Sequence, residues 1–367
     1  MKSVFSLCAV ALLGLAACTR AESQSGLALE AKLPGGFGQL SNVLELDSGR
    51  VAFADTRDKL FLAATFGSGK LDTLGTRVEA IKPDAAPGEY KFPGWVARLA
   101  GDTVALVDFS ALRTTLWSEQ GQPLQVLPIA PFAGTAPVLV YDTVGNGYKI
   151  DYQSLLDPEP GQLARPDSIP VLRIRLDGSK VDTIARLAAP VFGEATFGEQ
   201  KQQAATVFAP NDFFGVLANG TAWVARGREN RVDWRGSDGS WSRGKSRKFT
   251  GQPVTQADQD RVLAQVREQG KQYGMPQDLP IQYPFAQTKP PFDFALGRPN
   301  GEVWLQRPRA REDAALIYDI YSRGGDWQRE VAFPTGVSLA GFGETGAIYA
   351  AIKNEDGTKT LGRYRLR

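Results

Sequence analysis

The chain has 367 residues, 43% of them hydrophobic, with 42 Lys and Arg against 40 Asp and Glu, two cysteines and no histidine. That apolar share supports a sizeable core and excludes a chain that is disordered overall, and the near-neutral balance gives no electrostatic reason to bind nucleic acid or an anionic surface. The absence of histidine removes His general bases, Ser-His-Asp and Cys-His catalysis, and His-ligated metals.

In chain order, residues 1–17 read as a signal peptide. Lys2 supplies a positive start, and Val4 to Ala17 is an apolar run of about 14 residues broken only by Ser6. A membrane-spanning helix needs roughly 20, so the run reads as a secretory signal. Its end, Leu15-Ala16-Ala17-Cys18, resembles the bacterial lipobox, which implies lipid on Cys18 as the first mature residue; the other reading is an ordinary cut near Ala17, with Cys18 a free thiol. Multiple acyl chains would hold such a protein on a membrane surface at ~0.8 kcal/mol per buried CH₂. Residues 18–25 form a polar tether. Cys8 leaves with the signal, so disulfides, dithiol pairs and cysteine zinc sites are excluded.

Residues 26–367 carry a repeated unit. Turn signals precede short apolar strands at Ser48-Gly49, Gly101-Asp102, Asn146-Gly147, Asn219-Gly220, Asn300-Gly301 and Thr345-Gly346. A second turn follows at Gly67-Ser-Gly69, Glu119-Gln120-Gly121, Asp177-Gly178, Asp238-Gly239 and Gly324-Gly325. Asn-Gly and Asp-Gly between alternating apolar runs are strong hairpin signals, because both residues tolerate φ > 0. Six first turns and five second turns imply six four-stranded sheets, of which the last lacks its outer strand. Leu27-Ala-Leu-Glu-Ala-Lys-Leu33 is a strand with no hairpin partner and supplies it. The expected fold class is all-β: a six-bladed β-propeller closed by an N-terminal strand, with one helical insertion.

The unit Gly220-Thr-Ala-Trp-Val-Ala-Arg226 with Arg231-Val-Asp-Trp234, and the closing Gly362-Arg-Tyr-Arg-Leu-Arg367, resemble secreted bacterial six-bladed propellers of the NHL/TolB-like type. The resemblance implies the fold across nearly the whole mature chain. It does not choose a function, because such propellers include binding modules, scaffolds and some lactonases.

Extra length falls at 77–93, 152–169, 188–210 and 250–291, loops that open on one face of a propeller. In the last, Thr255 and Asp258 resemble a capping box, and Val262, Leu263 and Val266 make an apolar stripe, so a helix is expected there, ending at Gly270 or Gly274. The Pro-rich tail 275–291 is expected to lie extended over the surface. The insertion is either ordinary packing or the wall of a binding site.

Six residues past each first turn stand Asp55, Asp108, Arg226, Arg307 and Ile352, with Asp151 in the third unit counted from Gly145. Acids on one side and arginines on the other suit a polar or zwitterionic ligand, with Arg offering a planar fork to a carboxylate or phosphate; internal pairing is the alternative. Gly239-Ser-Trp-Ser-Arg-Gly244-Lys245-Ser246 spells a P-loop but starts on a hairpin turn with no helix pattern after it, and a P-loop needs that helix. Ser242-Arg-Gly-Lys245 lacks the partner motifs of serine acyl-enzymes. The basic stretch from Arg226 to Lys248, with Trp223, Trp234 and Trp241, reads as blade core and solvated outer strand rather than a nucleic-acid surface.

Two functional classes remain. The first is an exported, lipid-anchored binding module of the cell envelope, which needs no cofactor and binds an envelope protein or a small polar ligand through its insertion-rich face. The alternative is a divalent-metal hydrolase of the propeller lactonase type, holding Ca²⁺ on Asp55, Asp108 and Asp151. Arg226 and Arg307 in the same ring would repel that cation.

Overall fold

A computed structural model describes residues 26–46, 49–82, 85–111, 113–127, 138, 140–156, 165–271, 274–311 and 314–367. The signal peptide, Cys18 and the tether lie outside them. Six four-stranded antiparallel sheets follow one another along the chain. Sheet one comprises Leu40–Glu45, Arg50–Asp55, Leu60–Thr65 and Lys70–Thr73, and sheet two Pro93–Leu99, Thr103–Asp108, Arg113–Ser118 and Pro123–Leu127. Sheet three holds Val140–Tyr141, Asn146–Ile150, Ser168–Arg175 and Val181–Ala188; sheet four holds Phe213–Val216, Ala222–Arg226, Arg231–Arg235 and Trp241–Ser242. Sheet five is Phe294–Gly297, Val303–Gln306, Ile317–Tyr321 and Trp327–Ala332. Sheet six has Val337–Phe342, Ile348–Lys353 and Lys359–Leu366 from the C-terminus, and its outer strand is Leu27–Lys32, with Leu27 opposite Leu366. That strand covers an edge whose N–H and C=O groups would otherwise invite pairing with another chain. The architecture is of the β-propeller type.

The turns form where the sequence places special residues, with one exception. At Asn219-Gly220 the glycine has φ 79°, which a Cβ would strain, and Asn219 Oδ1 accepts the Thr221 N–H at 3.0 Å. Asn146-Gly147 is not a turn: Asn146 begins the strand Asn146–Ile150. The chain reverses just before it, because Asp142 accepts the Val144 and Asn146 N–H groups, each at 2.9 Å, the Asn146 amide at 2.7 Å and the Tyr148 hydroxyl at 2.7 Å. A buried carboxylate here does the work expected of Asn-Gly.

Each neighbouring pair of sheets, including the sixth with the first, shares a hydrophobic cluster. Trp304, Tyr318 and Phe342 fill the seam between sheets five and six, and Phe53, Leu62 and Tyr349 that between six and one. Phe61 and Trp117 join one to two, and Leu116 and Tyr141 join two to three. Tyr148 and Val224 join three to four, and Trp223, Trp234 and Tyr321 join four to five. Burying one such aromatic removes 150–250 Å², a gross gain of roughly 4–6 kcal/mol at 25 cal/mol per Å². The fit is tight at Trp223, whose indole lies against the first-strand glycines of two sheets. A Cβ on Gly215 would come 2.2 Å from its ring, and one on Gly297 would come 2.6 Å from its Nε1.

The insertions occupy the expected loops, but two of them fold on each other. Residues after sheet three form a hairpin, Phe192–Phe197 with Gln200–Ala205, and Ile281–Gln282 from the insertion after sheet four pairs onto it. The hairpin was not legible, because Gln200–Ala205 opens with four polar residues and has no apolar residue larger than alanine. The Pro-rich tail is therefore not laid over the surface: it adds a strand to this hairpin and then runs inward, with Lys289, Pro290, Pro291 and Phe292 buried. The helix spans Gln256–Lys271, and its apolar stripe is only half-buried; Asp258 is its one buried residue. Thr255 and Asp258 do form a reciprocal capping box, the Thr255 N–H reaching Asp258 Oδ2 at 3.0 Å and the Asp258 N–H reaching Thr255 Oγ1 at 3.2 Å.

Gly215→Ala and Gly297→Ala should each overpack the Trp223 seam and cost about 1–3 kcal/mol in chemical denaturation. Gly215→Ala combined with Trp223→Phe should lose less than the two single changes summed. Strict additivity would show that the contact does not matter.

Candidate functional site

The structure places Asp55, Asp108, Arg226 and Arg307 in structural roles of two kinds. Asp55 ends the second strand of sheet one and is 1% exposed. It accepts N–H groups from Gly38 at 2.6 Å and Gln39 at 2.9 Å, in the chain entering the sheet, and from Arg57 at 3.1 Å and Asp58 at 3.2 Å, in the turn leaving it. Asp108 repeats the arrangement in sheet two with Lys91 at 2.6 Å, Phe92 at 3.1 Å, and Ser110 and Ala111 each at 2.9 Å. Hydrogen bonds to a charged group contribute about 1.5–3 kcal/mol each, so these carboxylates fix the geometry of their own sheets.

In sheets four and five the acid moves to the chain entering the sheet. Asp212 accepts from Arg226 Nη1 at 2.8 Å, from the Gly227 N–H at 3.0 Å and from the Ala188 N–H at 2.9 Å. Arg226 also reaches Asp233 at 3.2 Å and the Arg186 carbonyl at 2.8 Å. In sheet five, Gln306 Nε2 donates to Asp293 at 3.0 Å. Arg307, one residue on, grips Asp319 with Nε and Nη2, both at 2.8 Å, and Glu330 at 2.8 Å. Asp151 directly follows the second strand of sheet three; its N–H donates to the Pro170 carbonyl at 2.9 Å, and its Oδ1 accepts the Gln153 N–H at 3.3 Å.

A hard cation needs several oxygens turned toward one point. Asp55, Asp108 and Asp151 stand in three different sheets, and the first two spend their oxygens on backbone N–H groups. Among the described residues no three His, Cys, Asp or Glu side chains converge as a metal site. The three aspartates do not fit calcium.

Arg307 leads instead to a cleft of about 370 Å³ beside the seam of sheets four and five. One wall is the chain around Arg247–Gln252 and Lys289–Pro291, the stem of the insertion; the other is Arg307, Pro308, Ala310, Ala314, Ala315 and Ile317, between the second and third strands of sheet five. The stem is held by the Lys289 N–H donating to the Gln252 carbonyl at 2.8 Å, and by Asn230, whose amide donates to the Arg247 carbonyl at 3.1 Å. Phe249, Pro290, Pro291, Pro308 and Ile317 supply apolar surface. On the floor, Asp319 accepts from Arg307, from Arg247 Nη1 at 2.7 Å and from Trp327 Nε1 at 2.7 Å, while the Arg247 guanidinium stacks on the Trp327 ring at 4.4 Å. Burial alone would raise the Asp319 pKa, but these donors and the two guanidinium charges hold it below the usual carboxylate range.

The insertion is fastened to the cleft by a buried ion pair that the sequence did not reveal. Lys289 Nζ meets Asp258 Oδ1 at 2.8 Å, with the two side chains 4% and 2% exposed. It also donates to the carbonyls of Arg309 at 2.8 Å and Ala310 at 3.4 Å across the cleft. Asp258 further accepts from Arg261 at 2.7 Å and the Thr255 hydroxyl at 2.8 Å. Burial opposes its charge, yet the Lys289, Thr255 and Arg261 donors outweigh that and hold its carboxyl far below the ordinary range. The residues that spell a P-loop are built differently: the Gly244 N–H donates to Asp233 at 3.1 Å, and its Cα lies close to the Val232 carbonyl and Gly325. No helix follows before Gln256.

No protein-family model matches the sequence, and neither does any curated protein. Among solved structures, the chain is similar to an exported protein from Bacteroides fragilis at 12% identity and TM-score 0.53, covering 95% of this chain and 98% of that one. It is also similar to a member of the DUF4221 family from Bacteroides vulgatus, at 8% identity and TM-score 0.50, covering 94% and 99%. A gluconolactonase from Xanthomonas campestris aligns at 13% identity and TM-score 0.43, covering 92% and 89%. Identities this low bear on fold alone.

Asp258→Asn should leave Lys289 buried without its counter-charge and cost about 3–5 kcal/mol locally. Hydrogen exchange across residues 253–288 should speed up while the sheets keep their protection; unchanged exchange there would mean the pair does not fasten the insertion. Because the folded pKa of Asp258 is depressed, its contribution is complete above the unfolded value near 4. It is lost as pH falls through that value toward the lower folded one, so protection of the same amides, taken relative to the intrinsic exchange rate at each pH, should fall in acid in the unchanged chain.

Proposed function

We propose that this chain is an exported, lipid-anchored, six-bladed propeller acting as a binding module of the bacterial cell envelope, with its ligand taken on the insertion-rich face. The observation that carries this is the convergence of the two longest insertions into one body, of which the stem 247–252 and 289–291 walls a cleft. The signal-like start and the Leu15-Ala16-Ala17-Cys18 motif support export and anchoring through Cys18. Six sheets with six filled seams support the blade count. The similar Bacteroides fragilis protein is itself described as exported.

The hydrolase reading asks Asp55, Asp108 and Asp151 to turn their oxygens toward a divalent cation. For Asp55 and Asp108 that means surrendering the eight N–H groups described above, each donor then needing a new partner. The arrangement favours binding over metal-assisted hydrolysis.

The reading is tested by titrating the full chain with calcium, magnesium and manganese while following thermal unfolding and lactone turnover. Neither should change. A calcium-dependent rise in melting temperature that Asp108→Asn abolishes would establish the hydrolase site instead. Anchoring is tested separately by the mass of the mature N-terminus, which should carry acyl chains on Cys18 and lose them in Cys18→Ser.

A further inference from the structure

The chain enters its first strand and sends out its insertions at opposite ends of the sheets. The inference drawn from this rests on the lipid-anchor reading and adds which face meets the membrane. Every insertion leaves either after a fourth strand or between a second and a third strand, so all four stand on one face. The other face is made of the turns that follow first and third strands. Hydrogen bonds join those turns between neighbouring sheets. The Glu344 N–H reaches Glu45 at 2.8 Å, Arg50 Nη1 the Glu119 carbonyl at 3.0 Å and the Thr143 N–H the Ala218 carbonyl at 2.8 Å. Arg323 Nη2 reaches the Thr221 hydroxyl at 3.2 Å, and Arg298 Nη2 the Gly346 carbonyl at 2.8 Å.

The closing strand starts on that turn face. Leu27 lies opposite Leu366, and the Arg367 N–H donates to the Gly26 carbonyl at 3.0 Å. Leu366 ends the third strand of sheet six, Lys359–Leu366, whose first residue is on the insertion side. Along that strand the two faces are ~23 Å apart. Cys18 is eight residues before Gly26. Residues 18–25 lie outside the described ones, and only their length matters. Eight residues span at most ~29 Å fully extended and roughly 15 Å as a flexible coil. Turning the insertion-rich face to the bilayer would set Gly26 behind the full depth of the sheets. The insertion layer stands beyond that depth, and its helix Gln256–Lys271 alone adds about 10 Å. The extended tether is too short for this. Turning the other face to the bilayer requires almost none of its length.

The faces also differ chemically. Four exposed large hydrophobics, Phe109, Tyr152, Val191 and Phe249, are on the insertion-rich face, and among the described residues the turns expose only Val144. Aromatic side chains of this kind settle readily at a membrane interface, but the tether keeps that face away from one. We propose that the anchored protein stands on the membrane by its turn face. The insertion-rich face, with its cleft and those four side chains, is thereby held toward the aqueous compartment and meets a water-borne partner instead of lipid.

The mature chain holds no cysteine besides Cys18, whose sulfur the lipid occupies, so one introduced cysteine takes a donor dye at a single place. The lipidated chain is reconstituted on phosphatidylcholine vesicles that carry an acceptor dye on a lipid headgroup. Energy transfer is compared within two pairs of exposed positions, Ser237→Cys against Glu199→Cys and Thr345→Cys against Glu355→Cys. In each pair the first, on the turn face, should transfer about twofold more, given ~23 Å between the faces. Inserting about twenty Gly and Ser residues between Ser25 and Gly26 should bring the paired values together. Equal transfer within the pairs, as from a propeller lying on its rim, or greater transfer from the insertion side would overturn the proposal. So would a difference that survives the longer tether, because the tether would then not set the orientation. A chain that fails to float with the vesicles would remove the anchoring reading along with this inference, whereas a floating chain with the wrong face down removes this inference alone.

Discussion

The insertion-rich face depends on one buried ion pair, Lys289 with Asp258. The helix Gln256–Lys271 only half-buries its apolar stripe, so the hydrophobic effect that joins the sheets holds it less firmly. Removing two charges from water is expensive, and such a pair is tolerated only when the remaining donors and acceptors are satisfied. Here they are: the ammonium has two carbonyls besides its carboxylate, and the carboxylate has Thr255 and Arg261 besides its ammonium. Geometry of this kind has one solution. It fixes the register between the helix, the stem and the loop after Arg307, and thereby the width of the cleft.

A second constraint runs round the sheets. In sheets one, two, four and five the end of the second strand ties down the chain entering the sheet, each with the chemistry its residues allow. Sheets one and two place the acid on the strand, where Asp55 and Asp108 accept backbone N–H groups of the entering chain, Gly38 and Lys91 among them. Sheet four exchanges the partners, with Asp212 on the entering chain and Arg226 on the strand. Sheet five keeps the acid on the entering chain at Asp293 but answers it with the neutral Gln306. The same mechanical task is met by three different residue pairs.

This explains how much could be read in advance. The sheets, their turns and the closing strand were legible because hairpin turns and two-residue alternation are local signals. So was the capping box, whose partners are three residues apart. The ring of Asp55, Asp108, Arg226 and Arg307 was visible as a position, but the partners that settle what each residue does were not. Gly38, Lys91, Asp212 and Asp319 lie 12–17 residues away in sequence, at offsets that differ between sheets. Lys289 sits within Thr288-Lys289-Pro290-Pro291, a stretch that reads as a solvated linker, and its carboxylate is 31 residues upstream on a helix that looked amphipathic. Nothing local marks a lysine for burial. The hairpin at Phe192–Ala205 escaped for the opposite reason, since one of its strands has no apolar face at all.

The position of the cleft follows from that exchange of pinning partners. In sheets one and two the strand-end acid is consumed in place, and no charge is left to reach outward. In sheet five Gln306 has taken over the pinning of Asp293, so Arg307 is released from that task and turns to Asp319 on the third strand and Glu330 on the fourth. Asp319 then has acceptor capacity that draws Arg247 out of the stem and onto Trp327. The guanidinium is thereby held flat on the Trp327 ring beside the apolar wall. A neutral residue, Gln306, at the end of one second strand thus moves cationic chemistry from the ends of the inner strands to the outer half of a seam, where the insertion can wall it in.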